Sequence, residues 1–403
     1  MVFLAGCATY QSKVFKARGL VESGQLQAAS SELKALADQV TDDQLIYVLD
    51  YATLLQFEGK IQESNNYFMK GLKLIDQFDY QSVSRVAGSL LFNEEVVQYK
   101  GDTFEKIFVN AYLALNFLEL NDLDSALVET RRINEKYLLY RQEEKKKFEL
   151  NSFAKYLSAL IWEADKKYDD AFLAYKEAYG IDSRITGIED DLVRTAKKSQ
   201  RMDEYKKYKN EFSNVQEDPT WYDSNSAEVV VIFQNGWGAR KDVNPRSPRF
   251  PILRPVPVES RNAVVTLDRI DKQGSPSFAK TRSVYSVDDA EIKTLLEDQG
   301  SLVARRLGGI VAKEVAADQI RQKNQLLGFI ADVAMHASDR ADLRQWSFLP
   351  KEFQIVRLRV KPGKYKLNIS VQNKYSGDQN EVASNQEVDL KPGKTRFFNW
   401  RKF

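Results

Sequence analysis

The sequence predicts an α+β multidomain chain: an N-terminal α-solenoid of helical hairpins, then a C-terminal antiparallel β-sheet or sandwich domain with an inserted helical region. Three observations predict it. Residues 12–212 contain no proline, and their apolar residues recur at helical spacing. Within that half a small-large-turn-small-large pattern repeats. All ten prolines lie beyond residue 218, where the apolar runs become short and β-branched. The boundaries follow as residues 1–6 for a leader remnant, 7–215 for the solenoid and 216–403 for the β-rich domain, with the helical insertion at 288–337.

The repeat is read from its turns. With the turn position set at Gly24, Gly59, Asn121 and Lys166, the small residues Ala29, Ser64, Ala126 and Ala171 follow five places later. Ala17, Ala52, Ala114 and Ala159 stand seven places before. Small residues at these two places let the second helix of a hairpin approach the first. Leu20, Leu55, Phe117 and Trp162 stand four before each turn, and Leu33, Phe68, Thr130 and Tyr175 nine beyond. A degenerate hairpin follows at 190–212, with Met202 and Tyr205 on its second helix. This order resembles the tetratricopeptide repeat, although the proline at the repeat ends is absent and the last two turns lack glycine. The resemblance implies a curved solenoid whose concave face binds peptide segments or partner proteins.

In the second half, Glu228-Val229-Val230-Val231-Ile232-Phe233 predicts a buried strand, followed by the loop Gln234-Asn235-Gly236-Trp237-Gly238. Five prolines between 245 and 257 mark an extended excursion. Residues 263–267 and 283–286 are further strands, and Asp288-Asp289 begin the helical region. Residues 355–360 and 365–371, joined by Lys361-Pro362-Gly363-Lys364, predict a hairpin. A second Lys391-Pro392-Gly393-Lys394 turn joins 388–390 to the closing strand at 395–400.

Composition narrows the function classes. Lys plus Arg number 59 against 57 for Asp plus Glu, so no net field draws the chain to nucleic acid or anionic lipid. No stretch approaches the roughly 18 apolar residues of a spanning helix. His336 is the only histidine and Cys7 the only cysteine, so Ser-His-Asp and Cys-His triads and the common zinc sites lack their parts. The glycines of Asn235-Gly236-Trp237-Gly238 lack dinucleotide-fingerprint spacing and read as backbone turning beside a bulky indole. Asp288-Asp289 and Glu189-Asp190-Asp191 read as acids at helix starts. The run 141–147 reads as a solvated helix face, and the glycine-interrupted patches 307–312 and 326–330 as close helix packing or a mobile hairpin.

Cys7 has a different significance. Leu4-Ala5-Gly6-Cys7 resembles the lipobox of bacterial lipoprotein precursors, with an apolar residue three places before the cysteine and small residues between. Met1-Val2-Phe3 is a truncated leader by that standard, and Ala8 after the cysteine resembles lipoproteins sent to the outer membrane. The resemblance implies a covalent lipid on Cys7 as the only cofactor, and membrane attachment through it.

The whole order also resembles a family of uncharacterised bacterial outer-membrane lipoproteins. The run that carries the likeness is Ala341-Asp342-Leu343-Arg344-Gln345-Trp346, then Leu349-Pro350, Arg357 and Pro362-Gly363. Asp342, Arg344 and Trp346 alternate, so an extended chain points them to one face. There Arg344 pairs with Asp342 and stacks on the indole, as a structural clasp or a partner site. The lipobox, the stacked hairpins and the missing catalytic constellations together predict a non-enzymatic, periplasm-facing scaffold that binds other envelope proteins through its repeats, with no metal and, from the balanced charge, no nucleic acid. The alternative is a C-terminal domain that binds or hydrolyses peptidoglycan or polysaccharide, with a glycan as ligand.

Overall fold

The computed structural model describes residues 10–85, 98–143, 149–245, 251–271, 276–296, 341–374 and 380–403. Cys7, His336, both glycine-interrupted patches and most of the 288–337 insertion lie outside the described residues.

Five hairpins form the helical half: α1 (Tyr10–Glu22) with α2 (Leu26–Ala37), α3 (Gln44–Phe57) with α4 (Ile61–Arg85), α5 (Thr103–Glu119) with α6 (Leu123–Gln142), α7 (Ser152–Ala164) with α8 (Tyr168–Ile181), and α9 (Ile188–Lys198) with α10 (Met202–Glu211). Each turn has one left-handed residue, at Gly24, Gly59, Asn121, Lys166 and Gln200, with φ between 60° and 77°. In each, the next N–H donates back to the carbonyl five residues earlier: Gln25 to Leu20, Lys60 to Leu55, Asp122 to Phe117, Lys167 to Trp162 and Arg201 to Ala196. These are Schellman closures, which satisfy the carbonyls that a helix end leaves open. The paired small residues Ala17, Ala29, Ala52, Ser64, Ala114, Ala126, Ala159 and Ala171 are all fully buried, and the Ser64 hydroxyl donates to the Ala52 carbonyl (2.8 Å). The helical half is therefore built of tetratricopeptide-like hairpins.

The first helices of the hairpins are buried on more than one side. In α3 every residue from Gln44 to Gln56 is buried, and α5 and α7 are nearly as enclosed. Their partners α4, α6, α8 and α10 keep an exposed face. What covers the first helices is the C-terminal half of the same chain.

That half is a sandwich of two four-stranded sheets. Its strands are β1 (Ala227–Asn235), β2 (Arg240–Val243), β3 (Pro251–Arg254), β4 (Ser260–Arg269), β5 (Ser277–Lys280), β6 (Arg282–Ser286), β7 (Glu352–Val360), β8 (Gly363–Asn373), β9 (Asn380–Leu390) and β10 (Thr395–Lys402). The first sheet runs β10-β1-β7-β6 and the second β5-β4-β8-β9, while β2 and β3 form a separate ribbon. Residues 287–296 are helical.

Two sequence expectations are corrected here. The sandwich is not wholly antiparallel, because β1 and β10 pair in parallel, with Val230 opposite Phe397. Residues 355–360 and 365–371 do not form a hairpin either. β7 pairs with β1 and β6 in the first sheet, and β8 with β4 and β9 in the second. Both Lys-Pro-Gly-Lys turns are corners that carry the chain from one sheet to the other, and the second corner delivers β10 parallel to β1. Strand alternation fixes which face of a strand is buried, not which sheet the strand joins.

The unbroken apolar run of β1 has its reason in the layering. Ala227, Val229, Val231 and Phe233 face the second sheet, with Val265, Leu367 and Ile369. Val230 and Ile232 join the core that runs through the helices. A strand buried on both faces needs no polar alternation. The molecule thus has three layers, repeat helices, first sheet and second sheet, and one hydrophobic cluster crosses residue 216 without interruption.

Candidate interaction site at the repeat–sheet seam

The inner face of the repeats grips an irregular segment of the same chain, residues 341–350. The Trp346 backbone N–H donates to Glu105 Oε1 (2.8 Å) and the Phe348 N–H to Asp50 Oδ1 (2.9 Å). The Trp346 indole N–H donates to Thr53 Oγ1 (3.0 Å), with its ring between Phe68 and Tyr112 at 5.9 and 5.2 Å. The Tyr10 hydroxyl bonds Asp50 (2.8 Å) and the Gln345 carbonyl (2.6 Å). Two buried carboxylates thus hold backbone amides of the segment and one pocket takes its aromatic side chain, so main-chain bonds and a side-chain pocket fix it together.

The sequence-predicted trio is placed here, with one change of partner. Arg344 pairs with Asp342 (2.6 Å) and also with Asp43 at the start of α3 (3.1 Å). Its guanidinium lies over the Tyr99 ring at 5.6 Å rather than on the Trp346 indole. The segment is not a regular strand, so alternate residues do not share a face, and Trp346 turns into the core.

Burial perturbs the two gripping acids. It raises the Asp50 carboxyl to about 8, against the lowering effect of the Tyr10 and Phe348 hydrogen bonds. Burial and the nearby Asp102 raise Glu105 to about 7, although Tyr99 and Trp346 donate to it. A second contact line is polar. The Tyr112 hydroxyl donates to Gln234 (2.9 Å), Gln234 to Gln56 (2.8 Å), and Gln56 to Asn116 (2.6 Å).

Further along the seam lies a buried ion network that sequence reasoning missed. Arg357 of β7 reaches Glu163 of α7 (2.9 Å), Asp191 of α9 (2.8 Å) and Glu228 of β1 (2.9 Å). Arg194 forks onto Glu163 with two 2.9 Å bonds and also pairs with Asp191, while Arg359 meets Glu228 at 2.8 Å. Burial alone would raise Glu163, but Arg194 and Arg357 hold it well below the usual carboxylate range. The same opposition, with Arg357 and Arg359 as the cations, lowers Glu228. The signal in the sequence was the basic alternation of Arg357 and Arg359 on a strand, together with Glu163 and Asp191 on apolar helices. Nothing in sequence spacing shows that these residues meet.

Clefts open along the seam. One of about 650 Å³ lies between α9 and strands β5–β7, with Trp221, Asn262, Phe278 and Arg282 on its walls. One of about 380 Å³ lies beside Arg184 and Lys293, and one of about 290 Å³ beside Lys166, Tyr168 and Lys394. Among the described residues no three His, Cys, Asp or Glu side chains gather as a metal-holding group, and no helix is long and apolar enough to cross a membrane.

No protein-family profile matches the sequence, and no curated protein matches it. Several solved structures are similar to about half of the chain. One is a tetratricopeptide repeat protein from Parabacteroides merdae, with 16% identity over 51% of this chain and 66% of that one, at a TM-score of 0.34. The apo form of RapI is similar at 14% identity, covering 53% and 55% of the two chains, with a TM-score of 0.36. MamA from Desulfovibrio magneticus is similar at 15% identity over 52% of this chain and 94% of that one, with a TM-score of 0.33. The repeat assignment rests on the turns and paired small residues of this chain itself.

Proposed function

We propose that this chain is a non-enzymatic scaffold, tethered to the bacterial outer membrane by a lipid on Cys7 and facing the periplasm, that holds partner proteins during assembly of envelope, secretion or surface structures. The observation that carries the reading is the grip of the repeats on residues 341–350, which joins the hairpins and the sandwich into a single body. The acids and arginines around Arg357 are engaged with one another, as befits a structural joint. Because the inner repeat face is filled by the chain itself, partners meet the outward helices. There Leu138 and Leu139 of α6 stand 55% and 50% exposed, with Val128, Leu173 and Met202 also outward.

Two substitutions test this. Cys7→Ala, in the protein expressed in its bacterial host, should move it from the membrane fraction to the soluble one; retention in the membrane would overturn the anchor. Leu138→Ser with Leu139→Ser should abolish cross-linking to the same envelope proteins that wild type captures, and unchanged cross-linking would overturn the outward-face reading.

One observation favours the second reading, a C-terminal glycan site. Phe278, 68% exposed, stands at the 650 Å³ cleft beside Trp221 and the polar Asn262 and Arg282, a wall of the kind on which sugar rings stack. Cosedimentation of the full chain with purified peptidoglycan, lost in Phe278→Ala, would support it.

A further inference from the structure

At the far end of the seam from the ion network, two arginines are buried with no acidic partner. Arg18 of α1 is 3% exposed and Arg401 of β10 is 6% exposed, and neither forms an ion pair among the described residues. Both lie against one indole. The Arg18 guanidinium is 4.2 Å from the Trp237 ring centroid and that of Arg401 is 5.5 Å from it. Phe403 stacks on the same indole at 4.0 Å and lies 4.2 Å from the Arg401 guanidinium.

The unpaired atoms are all donors. Arg18 Nη1, Arg401 Nε, Nη1 and Nη2, and Trp237 Nε1 are buried and reach no acceptor among the described residues. Leaving a buried charged donor unmade costs more than any cation–π contact returns. The acid nearest in effect to both arginines is Asp50, but burial raises it to about 8, so it is protonated at neutral pH, and it is engaged by the Tyr10 hydroxyl and the Phe348 N–H. Burial lowers both guanidinium groups to about 10, with Arg240 adding like charge beside Arg18, so both remain cationic at neutral pH. A water carries no charge, whereas a compact anion accepts without donating and supplies the negative charge that these buried donors lack.

We propose that Arg18, Arg401 and the Trp237 indole N–H form a binding site for one small monovalent anion of chloride's size, held between the first repeat helix and the last strand. The anion supplies the negative charge that the two buried guanidinium groups lack, and it fastens α1 to β10.

Urea unfolding of the full chain in sodium chloride against sodium gluconate at equal ionic strength tests the site, because gluconate is too bulky to enter. For wild type the unfolded-to-folded ratio should fall about tenfold per decade of chloride once the site saturates, and gluconate should give no such dependence. Arg401→Gln should lose the chloride dependence. Should that variant fail to fold, Trp237→Phe keeps the ring, removes one donor and should weaken the dependence. A crystal soaked in sodium bromide should show an anomalous peak within hydrogen-bond distance of Arg401 and Trp237 Nε1. Equal stability of wild type in the two salts, or water alone between the arginines, would overturn the proposal.

Discussion

Trp346→Ala should destabilise the helical half of the chain, although Trp346 belongs to the C-terminal half. The indole is fully buried against Phe68 and Tyr112, its ring N–H is bonded to Thr53, and its backbone N–H to Glu105. Truncating a buried Trp costs about 3–5 kcal/mol where the site cannot collapse, and two aromatic neighbours add roughly 0.5–1.5 kcal/mol for each pair lost. The Thr53 hydroxyl keeps its own bond to the Leu49 carbonyl (2.8 Å), so little further penalty arises there. About 4–8 kcal/mol is a large part of the roughly 5–15 kcal/mol that holds a folded protein. The assay is urea unfolding followed by far-UV circular dichroism for the helices and by near-UV signals for tertiary packing. Both transitions should move together to lower urea, and Trp346→Phe, which keeps one aromatic ring but loses the Thr53 bond and part of the buried volume, should cost less than Trp346→Ala. A helical transition that stays in place while only the other moves would refute the joint between the halves.

Other perturbations test other parts of the seam. Arg357→Gln should cost about 3–5 kcal/mol, because Glu163, Asp191 and Glu228 lose their shared cation inside the protein; the same urea titration measures it. Asp50, raised to about 8 by burial, stays protonated in the folded chain while the unfolded chain ionises near pH 4, so stability falls as pH rises from about 4 to 8 and levels off above. Asp50→Asn removes that loss, so its stability relative to wild type should improve between pH 5 and pH 8; parallel pH curves would contradict the assignment. Gly236 has φ +65°, and a Cβ there would lie 2.3 Å from a Val258 methyl carbon. Gly236→Ala should therefore cost more than about 1 kcal/mol in thermal unfolding.

Local structure was legible in the sequence where one residue type answers one geometric need. The turn positions were read with small residues seven before and five beyond, and the structure gives each of those turns its left-handed residue. Gln200 takes the same conformation but lacks the flanking small residues, so only a degenerate hairpin was readable there. Strand β1 was legible for its length and burial, yet nothing in it distinguishes the sheet face it shows to β4 from the face it shows to α5. Long-range pairing was not legible. The Lys-Pro-Gly-Lys runs specify a turn, but whether a turn closes a hairpin or crosses between sheets depends on the partners waiting on either side. For the same reason Asp342, Arg344 and Trp346 could be singled out while Asp50 and Glu105, the acids that hold that segment, could not. On the sequence these two are acids within helices, and only the meeting of residues about 240 to 300 apart makes them a site.

The repeats hold residues 341–350 as they would hold a peptide, which closes their inner face to other chains. Native-state hydrogen exchange at the amides of Trp346 and Phe348 checks this hold, because these two protons are given to Glu105 and Asp50. Both should be protected as well as the buried amides of α3 and α5, exchanging only as the helices themselves open. Exchange of both amides at the rate of a free linker, while α3 and α5 remain protected, would contradict it.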